Sequence, residues 1–267
     1  MTSSKNGFDV FRSRMIITGL IETQTPLRIG AGSSANVVGS DNPVMKDSLD
    51  RPLIPGSSLK GALRAYLEAI LQALQIGDEA KNLVCSIQSS PTNRIADSCL
   101  AALGSEKSLD DQAVVDTSCL MCRLFGSPWI GARLFLSDLP VTFWNERYVF
   151  RDGVSIDRDT GTAADKRKYD FEAVPAGTQF AFKMQVDNAD MLENALALIA
   201  VRALVDGQIQ LGGSRSRGTG WCRLINTKYE RHDNPLDLLL GKPAHELTDD
   251  EVKAEMAQFT AAGGNHA

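Results

Sequence analysis

Leu211-Gly-Gly-Ser-Arg-Ser-Arg-Gly-Thr-Gly220 lies between the second helix pattern and the last strand pattern of the chain. Its four glycines and two arginines set how the rest is read. Glycine takes positive φ at little cost and lets another backbone come close. Successive N–H groups in such a turn can form an anion-binding nest, and Arg215 and Arg217 add guanidinium forks suited to phosphate. A plain glycine-rich hairpin with solvated arginines has the same composition.

Upstream, an Ala- and Leu-rich pattern predicts a helix over 189–206, starting at Asn188 or Asp190. Downstream, 220–229 reads as a strand, and near the start of the chain β-branched residues predict a buried strand over 14–22. Ile54-Pro-Gly-Ser-Ser-Leu-Lys-Gly-Ala-Leu-Arg64 opens a helix that Ser57 or Ser58 can cap. Its apolar stripe is Leu59, Leu63, Leu67, Ile70, Leu71 and Leu74. Strand patterns return at 132–149 and 178–187. Residues 76–131 have no clear period and read as an insertion, and the polar stretch 151–174 reads as an exposed hairpin or finger. Without these the order is β-α-β-β-α-β, an α+β ferredoxin-like or RNA-recognition topology whose open antiparallel sheet offers a face to RNA. Residues 1–229 are expected to form one domain and 230–267 a C-terminal tail.

The chain of 267 residues is long enough for a sizeable core. A net charge of −5 argues against indiscriminate polyanion binding but leaves room for a local basic groove. The cations gather at Lys60/Arg64, Lys166-Arg167-Lys168 and Arg215/Arg217, so the groove depends on whether the fold unites them. No apolar run reaches the roughly 18 residues that span a bilayer, and the N-terminus has no basic-then-apolar signal pattern. Five cysteines without small-domain disulfide spacing point to a reducing, cytoplasmic setting.

The three histidines, His232, His245 and His266, all fall beyond the last expected core strand, which disfavours a histidine acid–base pair. There is no Gly-x-x-x-x-Gly-Lys-Ser/Thr motif and no Gly-x-Ser-x-Gly elbow, and the glycine loop follows a helix, the reverse of a Rossmann fingerprint. Carboxylate chemistry remains. Asp41 sits in a loop just before Asn42-Pro43, either as a turn former or as a reacting group. Lys60 and Arg64 share one face of a helix start, where free N–H groups attract anions; a solvated helix face explains them equally. Cys119-Leu-Met-Cys122 is one half of a tetrahedral thiolate zinc site. With Cys85 and Cys99 in the same insertion, it predicts a structural Zn²⁺ staple, the alternative being ordinary buried or redox-active thiols.

Ile54–Arg64, Cys122-Arg-Leu-Phe-Gly126, Ile156-Asp-Arg-Asp-Thr-Gly161 and the loop at 211–220 occur in the order seen in RAMP-superfamily proteins. More narrowly, the chain resembles the backbone subunits of type III CRISPR effector complexes, from about Met15 to Leu224. The resemblance implies a guide-RNA-binding subunit that stacks with further RAMP-type effector subunits into a filament and involves no membrane. It implies guide contacts at Ser57, Ser58, Lys60, Arg64, Gly212, Gly213, Ser214, Arg215, Arg217 and Gly218. It makes 151–174 a thumb that wedges into the guide–target duplex, with contacts from Val154, Ile156 and Thr162. Asp41-Asn-Pro-Val44 matches the family's catalytic loop, which implies cleavage of complementary target RNA. The reaction would need a divalent cation such as Mg²⁺ or Mn²⁺ and would leave a 2′,3′-cyclic phosphate. A non-catalytic backbone or guide-end subunit and a guide-processing endonuclease of the same superfamily are the alternatives.

Overall fold

The computed structural model describes residues 10–32, 42–74, 83–85, 99, 111–156, 159 and 161–263. Its first strand, β1 (Arg14–Thr23), alternates buried Met15, Ile17 and Ile21 with half-exposed residues, so one sheet face meets the core. β1 is flanked by β7 (Gln179–Asp187) and β8 (Cys222–His232), both antiparallel. Phe180, Phe182, Met184 and Val186 of β7 and Leu224 of β8 continue the buried face.

β2 (Leu53–Ile54) precedes α1 (Gly56–Leu74), and α2 (Asp111–Thr117) and α3 (Leu120–Phe125) follow. The expected strand over 132–149 is two short ones, β3 (Leu134–Leu136) and β4 (Leu139–Phe143), which pair with successive parts of β7. The sheet order is β2-β4-β7-β1-β8-β9, with β3 also on β7, where β9 is His245–Glu246. β5 (Val149–Ile156) and β6 (Ala163–Ala173) form a separate antiparallel hairpin that begins two residues before the stretch 151–174 expected to be an exposed hairpin or finger.

Helix α1 begins at Gly56, so neither Ser57 nor Ser58 is its cap. The Gly56 N–H donates instead to Oδ1 of Asp138, 2.8 Å away at the bend between β3 and β4. Sequence alone could not pair residues 82 positions apart. Leu59, Leu63, Leu67 and Leu71 form the buried stripe, whereas Ile70 and Leu74, expected in it, are exposed. In α4 (Met191–Val205) the cap is Asp190, with Glu193 completing a capping box. This helix is buried nearly all round because the sheet lies on one side and α6 (Asp249–Gly263) on the other. α5 (Pro235–Leu239) lies between β8 and β9.

Three sequence expectations change here. The last core strand runs to His232, paired with Arg14, so that histidine is in the sheet and not beyond it. Its polar alternation (Lys228, Glu230) disguised a strand whose outer face meets solvent. Residues 230–267, read as a tail, supply β9 and α6, and Leu247 and Val252 join the main core. The stretch 76–131, without a clear period, reads as an insertion. Val84, Leu120, Met121, Leu124 and Phe125 nevertheless join the same core as β1 and α1.

Buried charge ties α3 to α4. Glu193, fully buried, lies 2.6 Å from Arg133 and 3.1 Å from Arg123, and Arg123 also meets Asp190 at 3.3 Å. The Arg123–Glu193 contact is close enough for Coulomb attraction but is not aligned as a hydrogen bond. No helix among the described residues is long and apolar enough to cross a membrane.

Candidate nucleic-acid interface and metal centre

The glycine loop is an ordered turn with inward ties. Leu211 N–H donates to Gly220 O at 2.9 Å, closing its neck, and Gly213 N–H donates to Arg28 O at 2.8 Å. Thr219, fully buried, donates its hydroxyl to Gly213 O at 2.8 Å. Gly212 has φ 77°, and a Cβ there would stand 2.1 Å from the Arg28 carbonyl oxygen, so only glycine permits this approach. Ser214 is left-handed at φ 59°, and Arg215–Arg217 form one 3₁₀ turn ending at Gly218, also left-handed. Alternation of this kind is the backbone of an anion nest. Arg215 and Arg217 are exposed at its rim.

Arg28, which sequence reading did not single out, joins this loop to the hairpin. Its Nη1 donates to Ser214 Oγ at 3.3 Å, and its guanidinium carbon lies 5.0 Å from the centre of the Phe171 ring. Its Nε is buried without a hydrogen-bond partner among the described residues. A second tie runs from Arg217 Nη1 to the Tyr169 hydroxyl at 2.6 Å. Tyr169 reaches it by lying across Gly153 of β5, where a Cβ would be 2.3 Å from the ring. The available signal for Arg28 was a lone cation between Leu27 and Ile29, both buried, which directs its side chain away from the core.

Asp41 lies outside the described residues, but its neighbour Asn42 does not. Asn42 Nδ2 donates to Asp170 O at 3.1 Å, and Glu172 N–H donates to Asn42 O at 3.2 Å. Two residues on, Val44 N–H and Lys46 Nζ both donate to the Glu172 carboxylate, at 3.1 and 3.2 Å. The base of the β5–β6 hairpin therefore receives the Asn42 segment, Arg28 and Arg217 together. Lys166, Arg167 and Lys168 belong to the same strand β6, so two of the three basic clusters fall on neighbouring elements. Val154 and Ile156 lie in β5 with side chains outside the described set, and Thr162 is exposed in the bend just before β6.

The third basic cluster is engaged elsewhere. Ser57 and Ser58 are exposed on the first turn of α1. Lys60 Nζ donates to Leu134 O at 3.0 Å, and burial, with Arg64 nearby, pulls its pKa down. Arg64 donates from Nε to Glu68 at 2.7 Å and from Nη1 to Gly126 O at 2.9 Å.

The four cysteines of the expected staple do meet. The sulfurs of Cys85, Cys99, Cys119 and Cys122 all lie within 4.8 Å of one another. A tetrahedral zinc with Zn–S bonds of about 2.3 Å has S–S edges of about 3.8 Å, so this donor set fits that ion. Backbone N–H groups already point at two sulfurs, Cys119 N–H at Cys99 Sγ (3.1 Å) and Cys122 N–H at Cys119 Sγ (3.4 Å). Hydrogen bonds from the Cys119 and Cys122 thiols pull the pKa of Cys85 down. Cys222, isolated in the core, is pushed up to about 12 by burial alone.

By architecture this is an α+β protein built on one antiparallel sheet with a separate two-stranded hairpin. Within that class the chain belongs to the RAMP superfamily, which its residues 20–223 match. It is 30% identical over 250 residues to the CRISPR system Cms endoribonuclease Csm3 of Methanothermobacter thermautotrophicus, covering 90% of this chain and 94% of that protein. Shorter matches reach proteins of the same name. The identity is 47% over 58 residues in Methanocaldococcus jannaschii (21% of this chain, 23% of the relative). It is 46% over 57 residues in Mycobacterium tuberculosis (21% and 24%).

Proposed function

We propose that this chain is a guide-RNA-binding backbone subunit of a type III CRISPR effector and that it cuts complementary target RNA through Asp41. The observation that carries this is the meeting at the hairpin base, where Arg28 and Arg217 tie the glycine loop to β6 and Asn42, the residue after Asp41, bonds the same strand. The name of the relative that spans 90% of the chain supports an endoribonuclease. We read the strand order β4-β7-β1-β8, with α1 and α4 as the crossovers, as a ferredoxin-like core, and the β5–β6 hairpin as the thumb.

In this reading Gly212, Gly213, Ser214, Arg215, Arg217 and Gly218 hold the guide backbone through N–H groups and guanidinium forks. Ser57 and Ser58 contribute hydroxyls from the start of α1, and Lys60 adds positive charge there. Val154, Ile156 and Thr162 belong to the thumb that distorts the paired target. The distortion aligns a target 2′-oxygen with the adjacent phosphorus. Asp41 takes the 2′ proton, the 2′-oxygen–phosphorus bond forms, and the bond to the 5′-oxygen breaks, that oxygen gaining a proton from water. The products are a 2′,3′-cyclic phosphate and a 5′-hydroxyl. A bound Mg²⁺ or Mn²⁺ would neutralise charge developing on the phosphate. Such ions are held by one or two carboxylates with substrate phosphate and water, and Asp41 would be that carboxylate if it holds the ion instead of taking the proton. The four-cysteine cluster carries structural Zn²⁺, and metal analysis of the purified chain is expected to give about one zinc per chain.

Other RAMP-type subunits would extend the guide-bound filament, in a cytoplasmic complex. The test is a reconstituted complex given complementary RNA with one 2′-deoxy sugar at the cut position. That bond stays intact while its all-ribose counterpart is cut. Equal cutting of both would exclude attack by the 2′-oxygen.

A further inference from the structure

We propose that Arg64 is a charge-balancing and positioning partner of the four-cysteine centre and not a ligand for guide phosphate. The inference rests on the zinc reading above. Arg64 rises from the first turns of α1 and is half-buried, with 24% of its side chain exposed. Its Nη1 bond to Gly126 O ends on the turn that closes α3, and Gly126 N–H in turn donates to Cys122 O at 2.9 Å. The guanidinium is thus clasped to the Cys119–Cys122 helix from outside, while Glu68, one turn on, holds Nε.

Charge gives this position its meaning. Four thiolates around a divalent zinc leave a net charge of about −2, and Cys119 and Cys122 are buried. A buried anion that lacks a counter-charge is costly. Backbone N–H groups serve the Cys85, Cys99 and Cys119 sulfurs, while Cys122, whose sulfur lies 3.5 Å from that of Cys85, sits in the helix whose closing turn Arg64 binds, and negative charge on either of these two sulfurs favours the Arg64 cation. Lys60, the other cation of this helix start, bonds the Leu134 carbonyl and not the turn at Gly126. Arg64, sharing its charge with the Glu68 carboxylate, is therefore the cation held against the Cys119–Cys122 helix, where its fork bonds Gly126 and Glu68 at once. Metal loading would then fix the start of α1 through Arg64, so the centre would act on RNA binding only through the scaffold.

The test compares the full-length chain with Arg64→Gln and Arg64→Lys. Zinc affinity is read by chelator competition, the Co²⁺-substituted thiolate absorption is recorded, and binding of an oligouridylate is followed against salt. Loss of such an outer partner is expected to weaken zinc by about 10- to 100-fold in Arg64→Gln. Arg64→Lys, which keeps the charge, should fall between it and the unaltered chain, with the Co²⁺ spectrum retained. The slope of oligouridylate binding against salt should not change in either variant. Unchanged zinc affinity would overturn the proposal, as would an equal loss in both variants or a fall in the salt slope of about one, the mark of a lost phosphate contact. An unaltered chain that binds no zinc would overturn this inference and the zinc reading together. If that chain binds zinc but Arg64→Gln does so equally well, only the Arg64 inference falls.

Discussion

An Asp41→Ala chain, assembled with its guide, is expected to bind complementary RNA as the unaltered chain does and to cut it about 100- to 10,000-fold more slowly, the range typical of losing a positioned general base. Binding persists because the groups proposed to hold RNA do not depend on that carboxylate. Arg217 is oriented by Tyr169, Arg28 by Ser214 and Phe171, and the loop by the bonds from Gly213 and Thr219. The segment after Asp41 is anchored by Asn42 and Val44 to Asp170 and Glu172, so the substitution leaves the hairpin base in place. Asp41→Asn sharpens the test, since it keeps the shape but can neither take a proton nor neutralise a cation. Cleavage by gel and affinity by filter binding separate the two effects. Undiminished cutting in both variants would leave Asp41 as a turn former and assign the cutting to other groups.

The second large effect concerns stability. Glu193→Ala removes the carboxylate between Arg133 and Arg123 and half of the α4 capping box. Arg133 has only 5% of its side chain exposed, so its charge stays in the interior after the carboxylate has gone. Breaking a buried pair from one side costs about 3–5 kcal/mol. At about 2–4 °C per kcal/mol for a chain of this size, the melting temperature should fall by about 10 °C. Burial pushes the Glu193 carboxyl up despite the opposing pull of Arg133, a sign that the cluster is expensive to bury. Replacing Glu193, Arg123 and Arg133 together with apolar residues of similar volume is therefore expected to cost far less than Glu193→Ala alone. Thermal denaturation of both variants decides the matter. A triple variant as unstable as the single one would show that packing, not charge, holds α3 against α4.

Much of the framework could be read locally. Alternation in 178–187 and the 3.6 period of Leu59, Leu63, Leu67 and Leu71 are properties of neighbouring residues, and they gave β7 and α1. Cys119-Leu-Met-Cys122 likewise carries its own spacing. The failures share one cause. Asp138 caps a helix 82 residues away, Asn42 binds a strand 128 residues on, and Arg28 meets Ser214 across 186 residues. No local pattern encodes such partners. Lys60 and Arg64 looked alike in sequence, as cations on a helix start, but the fold turns one to the Leu134 carbonyl and the other to Gly126 and the thiol cluster.

The sequence by itself determined the glycine loop's capacity for left-handed backbone, the periods of the main strands and helices, and one half of the cysteine centre, because each depends on residue type and near spacing. Tertiary structure alone decided that this loop is bound to the hairpin base through Arg28, Arg217 and Tyr169. The grouping of Cys85 and Cys99 with Cys119 and Cys122 was expected from sequence, but the fold alone sets their sulfurs within 4.8 Å of one another, since core packing decides which distant side chains come within bonding distance.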